Sequence, residues 1–63
     1  MTITKVTRVT ESLTDSKSIG IEYDDGIKFG FFEADKERAD LKDIWLAVET
    51  WVAAGNTIIE ITV

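Results

Sequence analysis

The residues of this chain with the most chemistry in them are its acids. Twelve Asp and Glu stand against seven Lys and Arg, for a net charge of −5, and there is neither histidine nor cysteine. Paired carboxylates can share acid–base work, and acids in series can imitate the phosphates of a nucleic acid toward a basic protein. The adjacent pair Asp24 and Asp25 precedes Gly26 between two alternating apolar runs, where its role is turn geometry. The series Glu33, Asp35, Glu37, Asp40, Asp43 and Glu49 is long enough to act as phosphate surrogates. Without histidine or cysteine the commonest general base, the commonest metal ligand and the thiolate nucleophile are all missing. No glycine-rich phosphate loop is present, nor oxygen ligands spaced around a glycine as a calcium loop requires. The expectation is a protein that is not an enzyme, with no catalytic residue, no cofactor and no metal.

The same balance of charge argues against nucleic acid as a partner, because affinity for phosphates is carried by clustered Lys and Arg. No stretch resembles a membrane span or a signal peptide, so the default place is the cytoplasm, with no membrane partner. Sixty-three residues make one domain, residues 1–63, and so short a chain buries only about 60% of the surface its unfolded form exposes.

These residues must be positioned by a helix and several strands. Asp40 to Thr57 reads as an amphipathic helix with Leu41, Ile44, Trp45, Val48 and Val52 in one stripe, Trp51 on its edge and Leu46 nearly opposite. Asp35, or failing it Asp40, is placed to cap its start. Gly55 and Asn56 stop it after Ala54. Trp45 is expected in the core and Trp51 partly exposed. Residues 2–10 are rich in β-branched types and favour a strand, but Ile3 and Val9 share a parity that Val6 lacks, which calls for a bulge or for a sheet side that is not fully polar. Residues 11–17 read as a loop whose Leu13 folds back onto the core.

The runs Ser18 to Tyr23 and Ile27 to Glu33 alternate cleanly around Asp24-Asp25-Gly26. A two-residue turn would set Tyr23 opposite Lys28 and scramble the faces. A three-residue turn with Gly26 left-handed sets Ile21 opposite Phe29, Ile19 opposite Phe31 and Glu22 opposite Lys28, and so predicts a hairpin. It also sets Gly20 against Gly30 beside Phe32, a patch of bare backbone that either Phe32 or a partner could cover. Thr57 to Val63 alternates as a last strand, with Ile59, Ile61 and Val63 assigned inward and Ile58 and Glu60 outward.

The fold class that follows is α+β, in the order β-β-β-α-β, with one helix packed on one face of a four-stranded, mostly antiparallel sheet. The preferred strand order is 3-2-1-4. The sheet side away from the helix would carry Gly20, Glu22, Lys28, Gly30, Phe32, Ile58, Glu60 and Val6. The candidate interaction surface is accordingly Gly20, Gly30, Phe32 and Ile58, with Leu46 and Trp51 on the helix.

Trp51-Val-Ala-Ala-Gly-Asn-Thr57, preceded by Ala34-Asp35 and Glu37-Arg38-Ala39-Asp40, resembles a motif of small bacteriophage and prophage tail-region proteins across residues 33–60. A proline usual near that helix start is absent here, and Leu41 stands where tyrosine is often found. The resemblance implies a small structural or assembly accessory in the virion or the host cytoplasm. Its partner would be a virion or host protein, a homodimer being one form of contact. It offers no catalytic residues. The competing reading is an acidic inhibitor that occupies a basic site on a host nucleic-acid-binding protein.

Overall fold

The computed structural model describes residues 2–63. The strands are β1 (Ile3–Thr10), β2 (Lys17–Tyr23), β3 (Lys28–Phe32) and β4 (Ile59–Thr62), with a 3-10 turn at Glu33–Asp35 and the helix α1 at Lys42–Ala53. They form one sheet in the order β3-β2-β1-β4, antiparallel except for the parallel pair β1 and β4. Element order, strand order and the α+β class are those the sequence predicts.

The hairpin has the expected register, with Ile21 opposite Phe29, Ile19 opposite Phe31, Gly20 opposite Gly30 and Glu22 opposite Lys28. Gly26 takes φ 88°, the Tyr23 N–H donates to the Ile27 carbonyl at 2.9 Å, and the Gly26 N–H donates to the Tyr23 carbonyl at 3.0 Å. A left-handed residue is what a three-residue hairpin loop needs. In β1 the parity conflict is resolved by a bulge between Ile3 and Lys5, which brings Ile3 against the same core as Val6.

That core is small. Val6, Ile19, Ile21 and Val48 are buried, with Ile3, Tyr23, Phe31, Ile44, Trp45, Trp51 and Ile58 packed around them. One α-helix of twelve residues covers the middle of the sheet and leaves its flanks open. Five expectations are corrected by this arrangement.

Val6 lies inside the core and not on the open face, because the bulge shifts its phase relative to Ile3. Val52 is 39% exposed, since the helix turns Trp51 toward the core and leaves Val52 at the flank. Trp45 is half-buried like Trp51, at the rim of the core, with its ring edge-on to Phe31 at 6.3 Å and under the Lys36 ammonium at 5.0 Å. Leu13 is 95% exposed: bonds from the Asp15 N–H to the Glu11 carbonyl and from the Glu11 N–H to the Ser16 carbonyl close the loop on itself, away from the core. Neither Asp35 nor Asp40 caps α1. Asp35 ends the 3-10 turn, Asp40 pairs with Arg38 at 2.9 Å, and successive backbone bonds from residues 36, 38 and 41 wind the chain into the helix without a side-chain cap. The stop at Gly55, φ 107°, is as expected.

The glycines give a discriminating pair of substitutions. Gly26→Ala should cost more than about 1 kcal/mol, because φ is positive there. Gly30→Ala should change stability by less than about 0.5 kcal/mol, because a Cβ there meets only the Ile19 carbonyl oxygen, at 3.5 Å. Urea unfolding of both variants checks this, and equal costs would mean the turn is misassigned.

A second test is electrostatic. The Thr2 N–H donates to the Asp24 carboxylate at 3.0 Å and holds its pKa below the ordinary 3.8. A carboxylate depressed in the folded state stabilises the fold above its unfolded pKa and loses that contribution as pH falls through the folded value. The difference in Tm between the wild type and Asp24→Asn should therefore be present at neutral pH and shrink once the pH drops below 3.8.

Candidate interaction surface

The register assigns every strand residue to a side of the sheet. Val6, Arg8, Ile19, Ile21, Phe29 and Phe31 face the helix, so their neighbours along each strand face away. Across the open face run three rows. The first is Phe32, Ser18, Val9 and Ile61; the second is Gly30, Gly20, Thr7 and Ile59; the third is Lys28, Glu22 and Lys5.

The face of β4 is thus the reverse of the expected one. Thr7 pairs with Ile59 and Arg8 with Glu60, which turns Ile59 and Ile61 outward, and Ile58 and Glu60 toward the helix side. Arg8 is the reason. It shares the helix side with Val6, and its guanidinium is held in a fork by Glu33, Nε to Oε1 at 2.8 Å and Nη2 to Oε2 at 3.1 Å. Its Nη1 donates to Glu60 at 2.6 Å. The hydrogen bonds to Glu33, with smaller contributions from both carboxylate charges, raise the Arg8 pKa above its ordinary value despite partial desolvation. Turning Glu60 outward would break this contact. Arg8 joins three segments: β1, the 3-10 turn and β4.

The outward side of β4 is therefore apolar. Ile59 is 44% exposed, Ile61 42% and, on the opposite edge strand, Phe32 59%. Between them lies the glycine pair, where an added Cβ at Gly20 would meet only the Thr7 carbonyl oxygen, at 4.0 Å. Phe32 sits in the row beside the two glycines, paired with Ser18 and more than half exposed, so backbone remains bare between the apolar edges. In the third row Lys5 reaches Glu22 at 3.6 Å.

Of the six residues expected to form the contact surface, the structure brings Gly20, Gly30 and Phe32 together on the open face. Ile58 is displaced from it to the core side, packed against the buried cluster. Leu46 and Trp51 lie together elsewhere, lining a shallow depression of about 580 Å³ with Thr2, Ile3, Asp43, Ala47, Thr50 and Ala54. Sequence reasoning missed Val9, Ile59 and Ile61 as face residues. The alternation of β4 was visible, but both of its sides begin with isoleucine, and only the partner of Glu60 decides between them. Among the described residues no cluster of acids is arranged to hold a metal ion, and no helix is long and apolar enough to cross a membrane.

No family model, curated protein or solved structure matches this chain. Its function is to be read from the residues themselves.

The clamp makes a prediction of its own. Arg8→Met should leave two carboxylates facing one another, and charge-assisted bonds of this kind contribute about 1.5–3 kcal/mol. Arg8→Met with Glu33→Met should then be less destabilised than the two single changes added together, by a coupling of about 0.5–3 kcal/mol in denaturant unfolding.

Proposed function

We propose that this protein is a small, non-enzymatic structural or assembly accessory of the phage type that works through protein contacts made by its open sheet face. The observation that supports this is the outward side of the sheet, where Phe32, Ile59 and Ile61 stand exposed around facing glycines on a chain of only 63 residues. Apolar side chains directed into water stabilise nothing in the monomer, and here Val9, Ile59 and Ile61 form one apolar edge of the face and Phe32 the other, exposed apolar groups of the kind that mark interaction sites. Glycines in facing strands let another backbone or side chain approach closely. The resemblance of residues 33–60 to phage tail-region proteins supplies the setting, virion or host cytoplasm.

A second reading keeps one observation in its favour. Glu37, Asp43 and Glu49 are exposed and make no ion pair among the described residues, so they are free to meet a basic site on a host protein. Glu33, in contrast, is already bound by Arg8.

The chain has no cysteine, so one introduced thiol reports on one place. Ile61→Cys should react freely with a maleimide in the isolated dilute protein and become protected when candidate virion proteins are added or the protein assembles. Protection should persist from low to physiological salt, because apolar contact is not screened. Binding that falls steeply with salt and leaves the introduced thiol reactive would favour the acidic inhibitor instead.

A further inference from the structure

The open face is self-complementary, and this names its occupant. We propose that it is covered by a second copy of this chain, stacked face to face about a two-fold axis that lies between the two sheets, parallel to the strands. This rests on the open face being the working surface, and it commits that surface to one partner.

The geometry follows from the register. Such an axis exchanges the two edges of the sheet and keeps each row at its own height. The strand order is β3-β2-β1-β4, so β3 falls over the partner's β4, and β2 over the partner's β1. Phe32 then lies over the partner's Ile61, and the same contact is made in reverse. Gly30 falls opposite the partner's Ile59, so the isoleucine enters the space where β3 has no side chain. Glu22 falls opposite the partner's Lys5, and Lys5 opposite the partner's Glu22. The three rows thus set aromatic against aliphatic, side chain against gap and anion against cation, while Val9 falls over the partner's Ser18 and Lys28 lies beyond the end of the partner's β4. Sheets stack with their strands within about 30° of parallel, so this pairing is close to the ordinary geometry of a sandwich.

The other two-fold axis in the same plane, perpendicular to the strands through the glycine row, does the opposite. It stacks Phe32 on the partner's Lys28 and Val9 on the partner's Lys5, placing charge against apolar groups. Net charge also favours the face. Its charged strand residues are Lys5, Lys28 and Glu22, so the acidic excess of the chain lies elsewhere. The acids of α1 and the 3-10 turn point away from each other in the stacked pair. The acidic excess therefore does not meet across the stacked pair.

Sedimentation velocity from micromolar to submillimolar concentration, with circular dichroism to confirm the fold, tests it. The wild type should sediment as a dimer. Gly30→Gln, which fills the gap at a place where a Cβ fits, and Phe32→Ser, at an already exposed position, should each sediment as monomers. Lys5→Glu should weaken the dimer by at least about tenfold, and Lys5→Glu with Glu22→Lys should restore it. Leu46→Ser, on the helix away from this face, should change nothing. A wild type that remains monomeric throughout overturns the proposal, while protection of the Ile61→Cys thiol by virion proteins would still uphold the open face as a contact site. A dimer that survives Gly30→Gln and Phe32→Ser overturns it too, and means the copies meet elsewhere, as at the free edge of β4.

Discussion

One contact holds this small molecule together: Val48 of the helix seated on Val6, Ile19 and Ile21 of the two central strands. A chain this short cannot build a second core, and the flanks of its sheet are therefore held by other means. On the β3 side the hairpin register and the ring of Phe31 against Trp45 suffice. On the β4 side only Ile58, just before the strand, packs on the core, and the strand is anchored by its ladder to β1 and by Glu60 on Arg8. Arg8 thus takes the place that a larger apolar residue would take in a larger domain. A fork of charge-assisted bonds has a defined geometry, so it fixes register as well as adding stability.

That division explains which parts of the fold were legible in the sequence. The hairpin was legible because its determinants are local: two alternating runs and a glycine that can take positive φ restrict the pairing to one register. The helix stop at Gly55 was legible for the same reason. The helix start was not, because Asp35 and Asp40 are good caps on paper, and the chain instead winds in through consecutive backbone turns while Asp40 is taken by Arg38. Leu13 looked like a core residue by type alone. Its loop closes on its own backbone, and a segment bounded by such bonds has no reach inward.

The orientation of β4 is the instructive case. Both of its sides are plausible as an inner side, since Ile59 and Ile61 alternate with Ile58, Glu60 and Thr62. Counting apolar residues favours the first set, and the structure uses the second. The determinant is a pairing between residues 8 and 60, separated by 52 positions, which no periodicity records. A half-buried arginine needs carboxylates more than the core needs two further isoleucines, because leaving a guanidinium unpaired costs more than leaving a side chain in water. Once Arg8 faces the helix side, Glu60 must follow it, and Ile59 and Ile61 are turned out.

The exposed face is in this sense a consequence of the clamp. Satisfying Arg8 sends the apolar residues of β4 to the open side, and the hairpin register independently places Gly20 and Gly30 there with Phe32 beside them. Two unrelated constraints thus produce a surface with a ridge at one edge, a gap toward the other and a charged row along one end. If solubility alone governed that side, polar residues at 59 and 61 would satisfy the fold equally well, since neither isoleucine reaches the core. Leu13 and Leu46 are exposed as well, but singly; Ile59 and Ile61 share one face with Phe32 and the glycine pair, and it is this grouping on one side of the sheet on which the proposal of a contact surface rests.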